Sequence, residues 1–306
     1  MPTRALVDVV GTVDLHLHSA PSYSHSRPYD DEETARQAKE AGMAGILLKD
    51  HTESTVTRAY LAQKMVPGVR VFGGIVLNHP VGGVNPEAAD FALTMGGKQV
   101  WMPTADAARH AETFGQGGYI LRLSQPGLGP AEPEKKSRHL LKKATIRILK
   151  DGQLIEEAKD VVRICKVWDA MLGVSHLHDD EVVALVQFAK EEGFKKVVIT
   201  HANWTIIRGH KSGELKELRD MGAWIEFCGT AMLPPYSCLT LDEEIRWLNE
   251  LGTQRCVLAS DAGAQIYGTE PSMFRAYLQI LNNAGLPIEA IKKMAIDNPK
   301  SLLHMD

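Results

Sequence analysis

Short apolar runs alternate along the chain with longer stretches in which apolar residues recur every three or four positions. Such runs are typical of parallel strands buried on both faces, and the stretches between them predict amphipathic helices. The runs occupy residues 12–18, 45–51, 70–78, 98–104, 171–178, 196–203, 223–230 and 256–263. Eight strand–helix units in a row predict an α/β fold, a distorted (β/α)₈ TIM barrel that forms one domain over residues 1–306. An open doubly wound sheet is the alternative, but no Gly-x-Gly-x-x-Gly motif follows an early run.

Several predicted helices begin at residues that favour helix N-termini. A capping box pairs an N-cap side chain with a glutamate three residues later, and this spacing occurs twice. The predicted caps are Asp30 with Glu33, Asp179 or Asp180, Ser212, and Thr240 with Glu243.

Residues 105–170 interrupt the alternation because they are too many for one helix and its loops. Segments 145–149 and 153–155 flank Lys150-Asp151-Gly152, and Asp-Gly is a strong signal for a hairpin turn. An insertion after the fourth strand would lie over the face of a barrel that carries the carboxyl ends of the strands. We interpret it as a lid, and a solvated loop used in oligomer contacts is an equal alternative.

The composition excludes some partners. The net charge is −4, from 34 Lys and Arg against 38 Asp and Glu, so we expect no nucleic-acid surface and no attraction to membranes. No apolar stretch approaches the ~20 residues that cross a bilayer, and the N-terminus lacks the apolar core of a signal peptide. The four cysteines have no Cys-x-x-Cys spacing. We therefore expect a cytoplasmic protein with a small-molecule substrate. The sequence leaves open whether the protein forms a homo-oligomer.

Metal-binding and acid–base side chains gather at the carboxyl ends of the predicted strands. His16 and His18 are two residues apart, so that in a strand both imidazoles point to one face. Converging imidazoles with a carboxylate suit Zn²⁺, Mn²⁺ or another divalent ion. The strand-end residues are His16, His18, Lys49, Asp50, His51, Asn78, His79, His176, His178, His201, Glu226 and Asp261. In a barrel these residues share one pocket, where an ion can generate hydroxide and a carboxylate can move the proton.

Four motifs in this order resemble the amidohydrolase superfamily of metal-dependent barrels. They are Asp14-Leu15-His16-Leu17-His18, His176, Thr200-His201 and Ser260-Asp261. The tail from Asn298 to Leu303 is similar to the start of that superfamily's C-terminal helix. The stretch 45–51 also resembles the second motif of the polymerase-and-histidinol-phosphatase group. Together with 73–78 and 101–104, these motifs look most like an uncharacterised bacterial subgroup.

The resemblance implies roles for five residues. His16 and His18 would hold a first ion, and His176 and His201 would hold a second ion or contact substrate. Asp261 would bind metal and act as general base. Members with two ions bridge them through a carboxylated lysine or a glutamate on the fourth strand, and residues 100–104 offer neither. One ion therefore binds, or the bridge comes from elsewhere.

Lys49 is the candidate for a bridge from another strand. We favour an unmodified ammonium that binds a substrate carboxylate or phosphate, because carboxylation of a lysine cannot be read from sequence. Arg27 is a candidate clamp for an anionic substrate, and Asn78 could orient the substrate through hydrogen bonds. His51 is either a metal ligand or a group that positions Asp261.

Glu226 could pair with Lys49 or a histidine to bind substrate, and an ion pair inside the barrel is the structural alternative. His178 is assigned to a helix cap, His110 to the surface and Cys228 to a small buried position. The tryptophans Trp101, Trp204 and Trp224 are assigned to the core.

We expect a metal-dependent hydrolase that cleaves an amide, lactone or ester of a small molecule. Asp261 would be the general base, with His201 and Lys49 as further catalytic residues and one or two divalent ions as cofactor. A phosphoesterase and a single-ion decarboxylase are alternatives. The non-enzymatic alternative is a degenerate barrel that only binds its ligand.

Overall fold

The computed structural model describes residues 6–23, 27–115, 144–205, 212–234 and 236–305. Its strands are β1 (Val13–Leu17), β2 (Gly45–Leu48), β3 (Arg70–Phe72), β4 (Gly74–Val76), β5 (Gln99–Trp101), β6 (Leu149–Lys150), β7 (Gln153–Leu154), β8 (Met171–Val174), β9 (Val197–Ile199), β10 (Trp224–Cys228) and β11 (Cys256–Ala259).

The helices lie between these strands and after the last one. They are α1 (Asp31–Glu40), α2 (Val56–Met65), α3 (Pro86–Thr94), α4 (Ala108–Phe114), α5 (Glu156–Val167), α6 (Asp179–Glu191), α7 (Ser212–Asp220), α8 (Leu241–Leu251), α9 (Glu270–Asn283), α10 (Ile288–Lys292) and α11 (Asn298–Leu303). Among the described residues, no helix combines the length and apolarity needed to cross a bilayer.

The parallel strands follow the order β1–β2–β3, then β4–β5–β8–β9–β10–β11. β3 and β4 are two halves of one barrel strand, interrupted at Gly73. A Cβ at Gly73 would lie 2.6 Å from the carbonyl oxygen of Thr55, so glycine allows the chain after β2 to approach here. The backbone N–H of Thr55 donates to the carbonyl oxygen of Gly74 at 2.9 Å.

The barrel closes where β1 meets the end of β11. Leu17 forms a parallel bridge with Ala262, and the backbone N–H of His18 donates to the carbonyl of Ala262 at 2.9 Å. The N–H of Asp261 donates to the carbonyl of His16 at 2.8 Å. Within the described residues, eight parallel strand positions therefore complete the predicted (β/α)₈ barrel, which is confirmed.

Two apolar layers hold the barrel. One fills its interior with side chains from successive strands: Val13, Leu15, Leu47, Phe72, Val76, Trp101, Met171, Val198 and Val257. The other packs the outer faces of the strands against the helices, as Leu17, Ile46 and Leu48 do. Leu302 and Leu303 on α11 pack against the interior layer and cover one end of the barrel.

The predicted hairpin is present as the antiparallel pair β6–β7. Asp151 and Gly152 both have positive φ angles, of 52° and 76°, as a two-residue Asp-Gly turn requires. Residues 116–143 of the predicted lid at 105–170 lie outside the described residues.

The helix caps agree with the sequence at some positions. Capping boxes are present at Asp30 and at Thr240. For α6 the predicted caps Asp179 and Asp180 are wrong, because Asp179 already belongs to the helix. The N-cap is His178, which confirms its assignment to a helix cap. The side chain of Glu181 accepts from the backbone N–H of His178 at 3.0 Å and fixes this start. α7 begins at Ser212, and its preceding residue is outside the described ranges.

Candidate metal centre

The strand β1, which carries His16 and leads into His18, has an irregularity. Asp14 pairs with Ile46 and Leu17 with Leu48, so that one extra residue of β1 lies between these two pairs. This β-bulge places Leu15 in the barrel interior and Leu17 in the outer layer. The two imidazole rings lie 5.6 Å apart between centroids, as their spacing predicted.

Asp261 brings a carboxylate to these two rings. Its Oδ1 atom lies 3.3 Å from Nε2 of His16 and 3.3 Å from Nε2 of His18. Ligands about 2.1 Å from Zn²⁺ at two corners of a tetrahedron are about 3.4 Å apart. Both separations from Asp261 therefore match the edge of a zinc tetrahedron, and all three donor atoms lie within 4.8 Å of one another. The donor set of two imidazoles and one carboxylate fits a divalent ion.

The contacts of His16 select one tautomer. Its Nδ1 lies 2.8 Å from Oε1 of Glu226, and its Nε2 lies 3.0 Å from Nζ of Lys49. The carboxylate of Glu226 accepts, so the proton of the neutral ring is on Nδ1 and its lone pair is on Nε2. Nε2 is the atom that faces Asp261 and His18. Glu226 thus orients His16 for metal binding, as a hydrogen-bonded carboxylate does for histidine ligands.

Lys49 is buried beside the same atoms, with 2% of its surface exposed and its ammonium 5.4 Å from the ring centroid of Trp101. Burial lowers the pKa of Lys49, and the charges of Asp261 and Glu226 partly oppose that shift. From this position Nζ of Lys49 could contact a ligand bound at the donor atom of His16. That Lys49 is an unmodified ammonium rather than a carboxylated lysine remains a prediction from the sequence.

The carboxylate of Asp261 is held as an anion. Burial pushes its pKa upward, but electrostatic interactions with His16, His201 and Lys49 and the hydrogen bond from Thr230 outweigh burial and lower the pKa below its usual value. The hydroxyl of Thr230 donates to Oδ2 at 3.0 Å. Oδ2 is thereby fixed, and Oδ1 is turned to the two imidazoles.

His201 lies beside His16 in the pocket, and His176 lies beside His201. Their ring centroids are 5.0 Å apart in an edge-to-face arrangement, and His201 is 5.7 Å from His16. The backbone N–H of His201 donates to Oε1 of Glu226 at 3.1 Å, so Glu226 ties His201 to His16. Burial and the positive charges around His176 hold its pKa well below its usual value.

His110 is not on the surface, so that prediction is wrong. It is completely buried, and its Nδ1 lies 2.8 Å from Nδ1 of His176. α4 brings it there, together with Phe114, whose ring stacks on Trp204 at 5.6 Å. Trp204 is buried as predicted, but its neighbours are the rings of His176 and His201.

His51 and Asn78 form a network with Thr104. Nδ1 of His51 lies 2.9 Å from the hydroxyl of Thr104, and the His51 ring stacks on His18 at 5.0 Å. The amide nitrogen of Asn78 donates to the carbonyl of His51 and to the hydroxyl of Thr104, and its oxygen accepts from the N–H of Thr104. Because both the nitrogen and the oxygen of the Asn78 amide form hydrogen bonds within the protein, the amide has little capacity left to orient a substrate.

The remaining candidates lie around this pocket. Arg27 is partly buried, and its charge lowers the pKa of both Lys49 and Tyr236. Burial and the charge of Glu226 raise the pKa of the Cys228 thiol well above its usual value, in keeping with a small buried residue. His178 lies at the start of α6, where its Nε2 contacts Glu112 at 3.1 Å.

Comparison with known sequences assigns the chain to a family. Residues 11–226 match the model of DUF6282, described as a family of unknown function. The chain belongs to the DUF6282 family. No curated protein matches the sequence.

Solved structures resemble this DUF6282 protein along nearly its whole length. An amidohydrolase from Pseudomonas aeruginosa is 12% identical, with 96% of each chain covered and a TM-score of 0.60. A mutant organophosphorus hydrolase from Deinococcus radiodurans is 13% identical, with 98% and 95% covered and a TM-score of 0.59. A 2,6-dihydroxybenzoate decarboxylase is 11% identical, with 97% and 100% covered and a TM-score of 0.57. These likenesses confirm the resemblance to amidohydrolase-superfamily proteins at the level of the fold.

Three residues of this DUF6282 centre were missed by sequence reasoning: Thr104, Thr230 and His110. Thr230 lies two residues after β10 and holds Asp261. Thr104 directly follows the fourth barrel strand, and its position at a strand end was a usable signal. His110 lies in a helix of the inserted segment, and its helical pattern gave no sign that the ring would turn inward. Its place depends on how the insertion is anchored.

Proposed function

We propose that the protein is a metal-dependent hydrolase that cleaves an amide, lactone or ester bond of a small molecule. The observation that carries the proposal is the cluster of donor atoms on His16, His18 and Asp261, in which Oδ1 of Asp261 lies 3.3 Å from Nε2 of each histidine. A divalent ion held there would lower the pKa of a coordinated water to about 7 and polarise a carbonyl group.

The protein's own residues supply the other steps. The Asp261 carboxylate is the group that would take a proton from water and pass it to the leaving group. His201 lies beside His16 and would contact the reacting carbonyl or a second ion. The ammonium of Lys49 and the guanidinium of Arg27 would bind an anionic part of the substrate.

Metal analysis tests the proposal on the intact protein. We expect stoichiometric zinc or manganese after purification, loss of turnover on dialysis against a chelator, and recovery on adding Zn²⁺ or Mn²⁺. Turnover is assayed with activated esters, lactones and dipeptides. Phosphoesters are assayed in parallel, and aromatic acids are assayed for release of CO₂. Turnover that survives complete removal of metal would overturn the proposal.

A matched pair of variants gives the control. His18→Asn removes one donor and should lower zinc affinity about 10-fold or more, because a ligand imidazole is lost. His304→Asn removes a histidine that is paired with Asp169 outside the candidate centre and should leave zinc affinity unchanged. Equal zinc affinities for the two variants would contradict the assigned ligands.

A further inference from the structure

Large apolar residues are exposed mainly on one side of the barrel. Of the twelve that are exposed in the described part of the chain, seven lie on, or directly after, the helices α2, α3 and α5. We call this set the apolar face, and between 45% and 80% of each of its members is exposed: Tyr60, Leu61, Met65, Phe91, Met95, Val167 and Trp168. Single apolar residues are ordinary on a protein surface, whereas a concentration of them on neighbouring helices is typical of a site of association.

The three helices that carry the apolar face are packed against one another. Nε1 of Trp168, which follows α5, donates to the carboxylate of Asp90 on α3 at 2.7 Å, and α3 also packs directly against α5. A Cβ at Gly97, two residues after Met95, would lie 3.1 Å from Cγ2 of Val56 at the start of α2. α2 therefore lies against the chain that leaves α3, and the apolar face runs across neighbouring helices.

The pattern of α2 differs from that of a helix with one solvated side. Val56, Ala59 and Ala62 are buried against the barrel, and Tyr60 and Leu61 are on the exposed side. Apolar residues on both sides of a helix are typical of one that is covered on both sides. In α1, by contrast, every exposed position carries a charged residue.

The area of the apolar face matches what a dimer needs. Seven residues of this size and exposure present on the order of 800 Å², above the ~300–600 Å² of the largest apolar patch on a typical monomer. Each partner in a standard-size interface buries about 800 Å². Aromatic residues and methionine, which form five of the seven members, are enriched at the centres of such interfaces.

The chemistry of the apolar face favours a second copy of this chain as its partner. In a two-fold dimer each surface meets its own copy, so charged residues would face like charges, whereas apolar side chains complement themselves. The net charge of −4 is small, so two copies repel each other little.

The apolar face lies away from the candidate metal centre. Met65 is the last residue of α2, and Met95 and Trp168 directly follow α3 and α5, each a few residues before the next barrel strand begins. These helix ends are at the amino ends of the strands, and the candidate centre is at the carboxyl ends. Association through the apolar face therefore leaves the pocket of each copy open.

We propose that the protein forms a two-fold symmetric homodimer in which the apolar faces of two copies pack against each other. Phe91 and Val167, which are 70% and 80% exposed in the single chain, become buried at the centre of this interface. The dimer is independent of the proposed function.

Sedimentation equilibrium of the full-length protein tests the proposal. Interfaces of this size have dissociation constants of about 1 μM or less, so we expect a dimer at about 10 μM protein. A protein that stays monomeric at about 100 μM would overturn the proposal and leave the apolar face to a different partner.

Charge substitutions place the interface on the apolar face. Phe91→Glu and Val167→Glu each put two charges into the dimer contact and should weaken dimerisation about 100-fold or more. Both residues are exposed in the single chain, so the circular dichroism spectrum should be retained. Val183→Glu is the matched control, because Val183 is exposed on α6 outside the apolar face, and it should dimerise as the unsubstituted protein does. Unchanged dimerisation of Phe91→Glu and Val167→Glu would overturn the proposal.

Cross-linking locates the contact without a substitution. Lys64 and Lys166 are exposed and directly precede Met65 and Val167. In a mixture of ¹⁴N-labelled and ¹⁵N-labelled protein treated with a lysine-reactive reagent, we expect mixed-isotope cross-links that involve these two lysines. Mixed-isotope cross-links confined to lysines on α7 and α10 would place the interface on the other side of the barrel and contradict the proposal.

Discussion

His201 and Asp261 have backbone φ angles of 36° and 52°, in the left-handed region that residues other than glycine rarely adopt. Each such conformation costs on the order of 1–3 kcal/mol unless the side chain is small and polar. Each residue lies two positions after the end of a barrel strand and turns its side chain into the pocket. Stored backbone strain of this kind clusters at functional sites, which agrees with the proposed roles.

The residue-scale prediction concerns the charge of Asp261. Asp261→Asn keeps the size of the side chain and tolerates a positive φ, so the unfolding free energy should change by less than about 1 kcal/mol. Loss of the proton carrier should lower kcat/KM about 10²–10⁴-fold at saturating zinc. Steady-state kinetics and thermal unfolding check the two expectations.

Asp151→Asn is the matched control, because Asp151 also has a φ of 52° but is exposed in the β6–β7 turn. Its kcat/KM should equal that of the unsubstituted protein. If Asp261→Asn kept its rate within twofold at saturating zinc, Asp261 could not be the general base.

At the scale of single elements, β8 depends on a glycine that leaves room for a neighbouring side chain. A Cβ at Gly173 would lie 2.3 Å from Cδ1 of Trp101 and 2.8 Å from Nε2 of Gln99. Gly173→Ala should therefore overpack the barrel interior and lower the unfolding free energy by about 1–3 kcal/mol. Urea denaturation measures the change.

Gly213 provides the opposite case in α7, because a Cβ there would meet no atom of the described residues within 4 Å. Gly213→Ala should raise the unfolding free energy by about 0.5–1 kcal/mol, since alanine loses less backbone entropy in a helix. A stable Gly173→Ala protein would show that β8 can move away from Trp101, contrary to the packing described.

A second element-scale prediction concerns pH and the helix α8. Glu244 is buried between Asn203 and Tyr277, and burial raises its pKa to about 7, although hydrogen bonds from both partners oppose the shift. The folded protein therefore binds a proton at pH values where the unfolded chain has released it. The stability contributed by this proton is complete below about pH 4.5 and is lost as the pH rises through 7.

The loss amounts to about 3 kcal/mol at most, from the difference between the two pKa values. Glu244→Gln resembles the protonated acid, so its unfolding free energy should fall less between pH 5 and pH 8 than that of the unsubstituted protein. Chemical denaturation across this range measures both slopes. Glu250→Gln changes an exposed residue of the same helix and should keep the original slope; parallel slopes for Glu244→Gln would assign the pH dependence to other groups.

At the scale of the whole molecule, the candidate centre forms where the two ends of the barrel sheet meet. His16 and His18 are on the first strand and Asp261 follows the last one, so the donor atoms converge only after the barrel has closed. A cation bound there would stabilise the folded state by mass action, about 2.7 kcal/mol at a concentration 100 times the dissociation constant.

The same dependence on closure limits what the sequence can reveal. The apolar runs predicted the strands, and the spacing of His16 and His18 predicted a shared point, because both signals are local. The bulge in β1 and the break at Gly73 arise from contacts between strands. The buried place of His110 arises from contacts of the inserted segment, so no local pattern could indicate it.

The closure itself makes a prediction about Asp14. This fully buried carboxylate accepts from the N–H of His16 at 3.0 Å and from the N–H of Ser260 at 3.1 Å, so it joins the first and last strands. Burial raises its pKa and raises that of the adjacent Glu270 further, so Glu270 holds the proton of the pair. Asp14→Ala should leave two buried N–H groups without an acceptor and lower the unfolding free energy by about 2–5 kcal/mol.

Asp14→Asn separates the role of the acceptor from that of the charge. The amide oxygen can still accept from both N–H groups, and the amide nitrogen can donate to Glu270, so the unfolding free energy should change by less than about 1 kcal/mol. Because closure also places Asp261 against His16, Asp14→Ala should weaken zinc binding while Asp14→Asn should preserve it. Urea denaturation and zinc titration of both variants measure these effects. Equal stability and equal zinc affinity for Asp14→Ala and Asp14→Asn would mean that the strands stay joined without this carboxylate, through backbone hydrogen bonds such as those of His16 with Asp261 and of His18 with Ala262.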